Sequence, residues 1–374
     1  MNQNSTIRTM KMSSTINFAT LEEYRAAARG EKVLEGQHYP TRDNAYGILG
    51  NPTVQSLQKQ IADLEGARLS LLYPNGAAAN AHAINALTES GDQIFVPDAC
   101  YSPTLGFVKN ILKRKNVDVI LYNPLELDSL ENQINTKTKI IFVESPISNT
   151  FEVVDADRIL KMCQENGLYS MIDASWSSGI LAKFIPRGFD VSIIALTKYI
   201  SGYNDVLMGA VSSSNNEVIR LLALDHHEFG VGVSPFDVLL VSRSIESVEA
   251  RMLQARSNAD KLVEMCENHT NVKKIYRPNK SDIFSDYFES DSCLFSIELK
   301  KLYSDEELQK MLDKLSVFKL GESWGGTRSL ILPYLPNEFD GRAFKPENSI
   351  VRINSGLESI EQQLNDLKSG LDQL

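Results

Sequence analysis

Chemically capable side chains follow several apolar segments of this 374-residue chain that are typical of strands. The segment 74–79 reads as a tight turn and a helix start, in which Gly76 and Ala77 are small. Small residues at such a place let a phosphate approach backbone N–H groups at the positive end of a helix. Tyr101 follows the next predicted strand and can stack on a planar ring. An ordinary strand-to-helix turn and a core aromatic residue are the plain alternatives.

Two charged residues also stand where predicted strands end. Asp173 closes the apolar segment 170–173, and a carboxylate at the rim of a buried sheet is costly unless it pairs with a cationic or protonated group. Lys198 follows the segment 192–196, and desolvation there prepares a lysine as the nucleophile of Schiff-base chemistry. Taken alone, each has a common alternative, a structural strand-end aspartate or a lysine that reaches the surface.

Together these residues describe one constellation. In open parallel sheets, ligands bind beyond the carboxyl ends of the strands, where all four signals fall. A phosphate cradle, an aromatic platform, a carboxylate and a lysine are what a pyridoxal phosphate site requires. The sequence therefore predicts that Lys198 binds the aldehyde as an imine and that Asp173 keeps the pyridine nitrogen protonated.

From residue 51 onward, apolar segments alternate with amphipathic ones, which predicts an α/β fold with a mostly parallel central sheet flanked by helices. The predicted strands of this sheet are 69–73, 92–96, 117–122, 139–144, 170–173, 192–196 and 210–213. Helices are predicted over 53–64 and 76–90.

A long helical pattern over 236–252 is interpreted as the connection into a smaller α+β C-terminal domain. That domain is predicted to contain strands 293–299 and 349–354 and helices 304–315 and 360–371. The expected organisation is an N-terminal arm (1–48), a cofactor-binding domain (49–244) and a C-terminal domain (245–374).

The composition excludes several classes of function. The chain has 38 Lys and Arg against 48 Asp and Glu, a net charge of −10 without a long basic run, which argues against nucleic-acid binding. Four widely spaced cysteines and the adjacent His226 and His227 favour neither disulfides nor a metal site. Without an apolar signal region or a run of about 20 apolar residues, a cytoplasmic location with no membrane partner is expected.

The sequence resembles the Cys/Met-metabolism pyridoxal phosphate enzymes of fold type I, and among them the bacterial cystathionine β-lyases, over nearly the whole chain. The motifs that carry the resemblance are Tyr46-Gly47, Asn51-Pro52-Thr53, Leu64-Glu65-Gly66, Pro74-Asn75-Gly76-Ala77-Ala78-Ala79, Glu144-Ser145-Pro146, Asp190-Val191-Ser192, Thr197-Lys198-Tyr199, Ser323-Trp324-Gly325-Gly326, Ser329-Leu330-Ile331-Leu332, Val351-Arg352-Ile353 and Gly356-Leu357-Glu358. Their order and spacing make a chance match very improbable.

The resemblance implies roles for the cofactor site. Lys198 matches the Schiff-base lysine, Asp173 the partner of the pyridine nitrogen, and Tyr101 the ring-stacking tyrosine. The further cofactor-binding positions that it implies are Gly76, Ala77, Thr197 and Ser175.

It also implies a substrate site and an oligomer. Arg352 matches the arginine that binds the substrate α-carboxylate, for which a guanidinium fork is suited. Ser323 and Trp324 match the substrate loop, with Glu322 beside them. Tyr46 matches a catalytic tyrosine donated to the neighbouring subunit, so a homo-oligomer, usually a tetramer of two dimers, is implied.

Several positions depart from the family pattern. Ile48 stands where many members have an arginine that binds phosphate across the subunit interface, and Arg42 is a nearby candidate for its substitute. Glu322 is typical of γ-acting members, whereas Trp324 is typical of β-lyases. The remaining departures are Ser148, Ala195, Thr327 and Arg328.

The resulting prediction is a carbon–sulfur lyase that converts cystathionine to homocysteine, pyruvate and ammonia by α,β-elimination. The alternatives are γ-elimination or γ-replacement on cystathionine, methionine or an activated homoserine, and β-elimination of another cysteine conjugate. A scaffold that retains the fold is a third possibility, but it would have no need for Lys198, Asp173, Tyr101 and Arg352 together.

Overall fold

Two large β-sheets and one separate short pair of strands organise the chain in the computed structural model, which describes residues 10–29, 33–34, 37–38, 46–49 and 51–374. Their strands are the short pair β1 (Val33–Leu34) and β2 (Gln37–His38), then β3 (Leu69–Tyr73), β4 (Gln93–Pro97), β5 (Asp118–Tyr122), β6 (Thr138–Glu144), β7 (Tyr169–Asp173), β8 (Val191–Ile194), β9 (Gly209–Ser213), β10 (Val272–Tyr276), β11 (Leu294–Leu299), β12 (Lys319–Leu320), β13 (Leu330–Tyr334) and β14 (Ile350–Asn354). The pair β1 and β2 stands apart from both.

The helices cover these sheets. They are α1 (Leu21–Arg29), α2 (Pro52–Glu65), α3 (Gly76–Ala86), α4 (Ser102–Asn110), α5 (Leu127–Glu131), α6 (Ala156–Asn166), α7 (Asn216–Glu228), α8 (Pro235–Ser244), α9 (Val248–Glu267), α10 (Phe284–Tyr287), α11 (Asp305–Asp313) and α12 (Ile360–Leu371). Asparagine side chains cap the helices α2 and α3, because Asn51 and Asn75 accept from the first free backbone N–H groups. None of the helices in the described part of the chain is long and apolar enough to cross a membrane.

The central sheet has seven strands in the order β3-β9-β8-β7-β6-β4-β5. The pairs from β8 through β5 are parallel, whereas β9 is antiparallel to both β3 and β8. The α/β fold class with a mostly parallel central sheet is therefore confirmed. All seven predicted strands form, with ends within two residues of the predicted ones, because the apolar residues of all but the edge strand β5 are largely buried on both faces of the sheet.

Two predicted helices were wrong in extent. The helix predicted over 76–90 ends at Ala86 because the Thr88 hydroxyl bonds the Ile84 carbonyl at 2.8 Å and the backbone turns away. The segment 236–252 is two helices, α8 and α9, with a short 3₁₀ turn between them. The carbonyl of Ser244, which a continuous helix would use internally, instead accepts from Arg251 Nη2 at 3.1 Å.

A five-stranded sheet in the order β10-β11-β14-β13-β12 forms the C-terminal part, and it is antiparallel except between β12 and β13. This arrangement agrees with the predicted mixture of strands and helices in the C-terminal part. The domain boundary at residue 244 stays a prediction. Of the predicted arm, Gly47 donates to the carbonyl of Ser14 at 2.9 Å, while Arg42 lies outside the described residues.

The loop that joins β12 to β13 docks against the segment after β8. Thr327 N donates to the carbonyl of Gly202 at 2.8 Å. A Cβ on Gly325, whose φ is +79°, would lie 3.0 Å from the backbone nitrogen of Tyr199, so only glycine permits this approach. The docking brings the C-terminal sheet next to the carboxyl edge of the central sheet, where the predicted site lies.

Candidate active site

Lys198 is the centre of the site and lies four residues after the end of β8. Its Nζ donates to Ser323 Oγ at 2.9 Å and lies 5.1 Å from the ring centroid of Trp324. Both partners belong to the loop between β12 and β13. The lysine that follows a strand of the central sheet is therefore held by residues of the C-terminal sheet's loop. Burial, and after it the Arg352 cation, lowers the pKa of Lys198 from 10.5 to about 8. Near neutral pH this amine is therefore far more available as a nucleophile or base than a surface lysine.

Arg352, on β14, places a second cation beside this amine. Its Nη1 donates to Asn149 Oδ1 at 3.3 Å and its Nη2 to the Ser323 carbonyl at 3.4 Å, and the guanidinium lies 5.7 Å from the Tyr334 ring centroid. Burial lowers its pKa from the ordinary value. Among the described residues, no carboxylate forms an ion pair with Arg352. A mostly buried guanidinium without a protein counter-ion is suited to bind an anionic ligand group.

Asp173 ends β7 and is buried, with 7% of its surface exposed. Its Oδ1 accepts from Ser175 N at 3.0 Å and its Oδ2 from Asn80 Nδ2 at 2.8 Å. The donors fix the orientation of the carboxylate and still leave each oxygen with acceptor capacity. The Asp173 carboxylate is therefore suited to accept a hydrogen bond from a protonated ring nitrogen.

The start of α3 fits a phosphate group. The first turn leaves the N–H groups of Gly76 and Ala77 without intrahelical partners. A Cβ on Gly76 would lie 2.8 Å from the Cβ of Ala195, so the helix start is pressed against the segment that carries Lys198. Ser175 Oγ accepts from Ala195 N at 2.8 Å, which leaves its hydroxyl proton for an anion.

Tyr101 caps the start of α4 and is 41% exposed. Its backbone nitrogen donates to Glu144 Oε2 at 2.7 Å, and the other Glu144 oxygen bonds the Ser148 hydroxyl. Burial and the neighbouring Asp173 raise the pKa of Glu144 to about 7. Burial also raises the pKa of Tyr101, followed by the charges of Asp173 and Glu322, so its hydroxyl stays protonated near neutral pH.

Three predicted site residues form no hydrogen bond with Lys198 or Arg352 in the described part of the chain. The Thr197 hydroxyl is bonded within the loop, since it accepts from Met208 N at 2.9 Å and donates to the Met208 carbonyl at 3.2 Å. Tyr46 is 53% exposed, and in the described part of the chain no hydrogen bond or ring contact joins it to Lys198 or Arg352. Glu322 is exposed, and its charge acts on both of those cations.

Sequence reasoning missed three residues that contact the predicted ones. Asn80 lies one turn into an alanine-rich helix, where a polar side chain is conspicuous. Asn149 follows β6, so the rule that ligands bind at strand ends applied to it as well. Glu144 was noted only as part of a motif, although it ends β6 beside Asp173 in register.

Comparisons with known proteins agree with this geometry. A sequence profile described as Cys/Met metabolism PLP-dependent enzyme matches residues 2–372. An L-alanine/L-glutamate racemase of Wolbachia pipientis is 32% identical over 97% of this chain and 91% of the relative. Cystathionine beta-lyase MetC of Escherichia coli is also 32% identical, over 92% of this chain and 91% of the relative.

A solved structure agrees in fold. A Campylobacter jejuni protein named as an O-acetylhomoserine (thiol)-lyase, which contains a pyridoxyl-lysine phosphate, superposes with a TM-score of 0.89 over 100% of this chain and 96% of that one, at 22% identity. The likeness supports fold type I.

The pH dependence of Lys198 labelling tests the site electrostatics. In the apoprotein, acylation of Lys198 by acetic anhydride, followed by peptide mass spectrometry, is expected to be half-maximal near pH 8. Access limits the rate but not this midpoint. An Arg352→Gln variant removes a neighbouring cation and should move the midpoint upward. A midpoint near 10.4, the ordinary lysine value, would contradict the described environment.

Gly76→Ala tests the phosphate cradle. The added methyl group would collide with the Cβ of Ala195, and such overpacking costs about 1–3 kcal/mol of stability. We expect the cofactor dissociation constant of the apoprotein to rise about tenfold or more, as measured by fluorescence titration. Gly106→Ala is the matched control, because that helical glycine has no atom within 4 Å of an added Cβ. Equal affinity of the two variants would argue against the cradle.

Proposed function

The chain belongs to the Cys/Met metabolism PLP-dependent enzyme family, and we propose that it is a carbon–sulfur lyase that cleaves cystathionine by α,β-elimination. The products are homocysteine, pyruvate and ammonia, with one water consumed. The observation that carries the proposal is the buried Arg352 guanidinium beside the Lys198 amine, because an α-amino acid supplies the missing carboxylate. The similarity to MetC of Escherichia coli supports cystathionine as the substrate.

Arg352 orients the substrate. Its two terminal nitrogens bond Asn149 and Ser323, and Ser323 also bonds the lysine amine, so a bidentate carboxylate on the guanidinium holds Cα close to Lys198. The aromatic ring of Trp324 covers the Lys198 side and limits water. Binding energy from the carboxylate is thereby used to align the reacting bond.

Lys198 transfers the protons. Asp173 and the start of α3 would hold pyridoxal phosphate, which would supply an aldehyde for the substrate amine and an electron sink for Cα. A lysine with a pKa of about 8 removes the Cα proton, and as an ammonium it returns that proton to the sulfur that leaves Cβ. Ser323 Oγ, at 2.9 Å, positions the amine between the two tasks. The released enamine hydrolyses to pyruvate and ammonia.

Racemisation of an amino acid is the second candidate, and the similarity to the Wolbachia pipientis racemase favours it. Both reactions begin with loss of the Cα proton. Racemisation between two bases also needs a protonated group that donates a proton to the opposite face of Cα. The protonated Tyr101 hydroxyl does not exclude this role, so the preference for elimination rests on the similarity to MetC of Escherichia coli.

The γ-reactions stay as the alternative that Glu322 supports. A γ-elimination needs a further proton removal from Cβ, and Glu322 is exposed at the site, near both cations. Neither Tyr101 nor Lys198 distinguishes β- from γ-chemistry, so the products decide.

We further propose a homo-oligomer in which Tyr46 serves the site of a neighbouring copy. In one chain Tyr46 is half exposed, and among the described residues no hydrogen bond or ring contact joins it to Lys198 or Arg352. Ile48 beside it is 44% exposed and provides no cation for a phosphate across the interface.

Product identification tests the reaction. The purified holoenzyme with L-cystathionine is expected to form pyruvate and homocysteine in equal amounts, measured by liquid chromatography and mass spectrometry, and a Lys198→Ala variant should form neither. Formation of 2-oxobutyrate and cysteine would show γ-chemistry. With L-alanine as substrate, we expect D-alanine to form at least 100-fold more slowly than pyruvate forms from cystathionine. If racemisation of alanine is faster than elimination of cystathionine, the second proposal replaces the first.

Arg352→Lys tests the carboxylate clamp. Lysine retains the charge but not the planar fork, so we expect KM for cystathionine to rise about 10- to 100-fold with a smaller change in kcat. Steady-state kinetics measures both constants. Arg328→Lys, an exposed arginine on the adjoining loop, is the matched control and should leave KM unchanged. If the two variants behave alike, Arg352 does not bind the substrate.

A further inference from the structure

Asn80 is a buried amide that directly contacts the carboxylate of Asp173. It lies on α3, is 1% exposed, and its Nδ2 donates to Asp173 Oδ2 at 2.8 Å. Its Oδ1 is buried and has no hydrogen-bond partner in the described part of the chain. The two ends of the amide therefore differ completely in their environment.

This difference determines the orientation of the amide. With the amide reversed, Oδ1 would face the Asp173 carboxylate oxygen, and two acceptors would repel each other at 2.8 Å. A buried polar atom without a partner costs free energy, which an apolar side chain of similar size would avoid. The contact with Asp173 is what offsets this cost.

Asp173 has a second acidic neighbour. Glu144 pairs with it in register on the adjacent parallel strand, and both side chains are buried. Two neighbouring carboxylates disfavour each other's ionised form in a low dielectric. Among the described residues, the amide of Asn80 and the backbone N–H of Ser175 donate to the Asp173 carboxylate.

The same helix also forms the phosphate cradle. Gly76 at the start of α3 and Asn80 are four residues apart, about 6 Å along the helix axis. The helix start is pressed against Ala195, so the position of Asn80 is fixed together with that of the cradle. One rigid element thus contacts both the phosphate-binding turn and the carboxylate that faces the ring nitrogen.

We propose that Asn80 is a positioning residue that orients the Asp173 carboxylate toward the pyridine nitrogen of the cofactor. The proposal rests on the proposed role of Asp173 and extends it to a residue on α3. Loss of the amide removes the hydrogen bond to Asp173 Oδ2 and leaves the carboxylate free to rotate, which weakens its hold on the protonated ring. The effect is transmitted through Asp173, since Asn80 itself is one residue further from the ring.

The test compares Asn80→Leu with Asn85→Leu. Asn85 is on the same helix and donates to a different carboxylate, Asp225 Oδ1, at 2.6 Å, so it is a matched control. The holoenzyme is reconstituted with cofactor labelled with ¹⁵N in the ring, and solid-state NMR reports the protonated fraction of that nitrogen. We expect Asn80→Leu to lower this fraction and to raise the cofactor dissociation constant about tenfold, with Asn85→Leu unchanged.

A double-mutant cycle with Asp173→Asn separates positioning from a general loss of structure. If Asn80 acts through Asp173, the Asn80 substitution has little further effect on the ring nitrogen in the Asp173→Asn background. Equal effects in both backgrounds, or no change of the nitrogen signal in Asn80→Leu, would overturn the proposal. Asn80→Ala, which removes the same donor with a smaller side chain, is measured alongside in case the leucine does not fit.

The outcome is independent of the reaction catalysed. If Asp173→Asn alone leaves the ring nitrogen unchanged, the role of Asp173 fails and this proposal with it. If the nitrogen responds as expected but no elimination product forms from cystathionine, the positioning role stands and only the proposed substrate or reaction is wrong.

Discussion

The placement of two partly desolvated cations side by side is the constraint that organises this molecule. Lys198 and Arg352 come from different sheets, and among the described residues neither forms an ion pair. Their mutual repulsion and their burial are unfavourable, and both lower the pKa of Lys198 to about 8. A ligand carboxylate would offset this repulsion, which is the physical basis of the proposal that Arg352 binds an amino acid.

The docking of the loop before β13 maintains this placement. Gly325 and Thr327 approach the segment after β8 closely enough for backbone contacts, and Ser323 bonds both Lys198 and Arg352. A larger residue at Gly325 would separate the two sheets and with them the two cations. The site is therefore as rigid as the packing between the sheets, and local changes in the loop act on both residues at once.

The shared first step explains why one site geometry suits several reactions. In the proposed mechanism, removal of the Cα proton by Lys198 precedes β-elimination, γ-elimination and racemisation alike. Other residues would then have to distinguish the outcomes, and Glu322 is the candidate for γ-chemistry because its charge acts on Lys198 and Tyr101.

The sequence by itself determined the strands of the central sheet and which chemically capable residues follow them. Apolar strands followed by Asp173 or Lys198 are local patterns, and ligands in parallel sheets bind at strand ends whatever the details of packing. The family motifs added Arg352, which no local pattern assigns to the same site. The break between α8 and α9 was not predictable, since it depends on Arg251 reaching a carbonyl seven residues earlier.

Only the tertiary structure decided which polar groups share an environment. Asn80 and Asp173 are 93 residues apart in the chain, and their contact arises because α3 packs on the edge where β7 ends. The hydroxyl of Thr197 is likewise committed to Met208 by the turn of a loop. Hydrogen bonds and burial depend on directions and distances between distant segments, whereas periodicity and motif spacing describe the chain only locally.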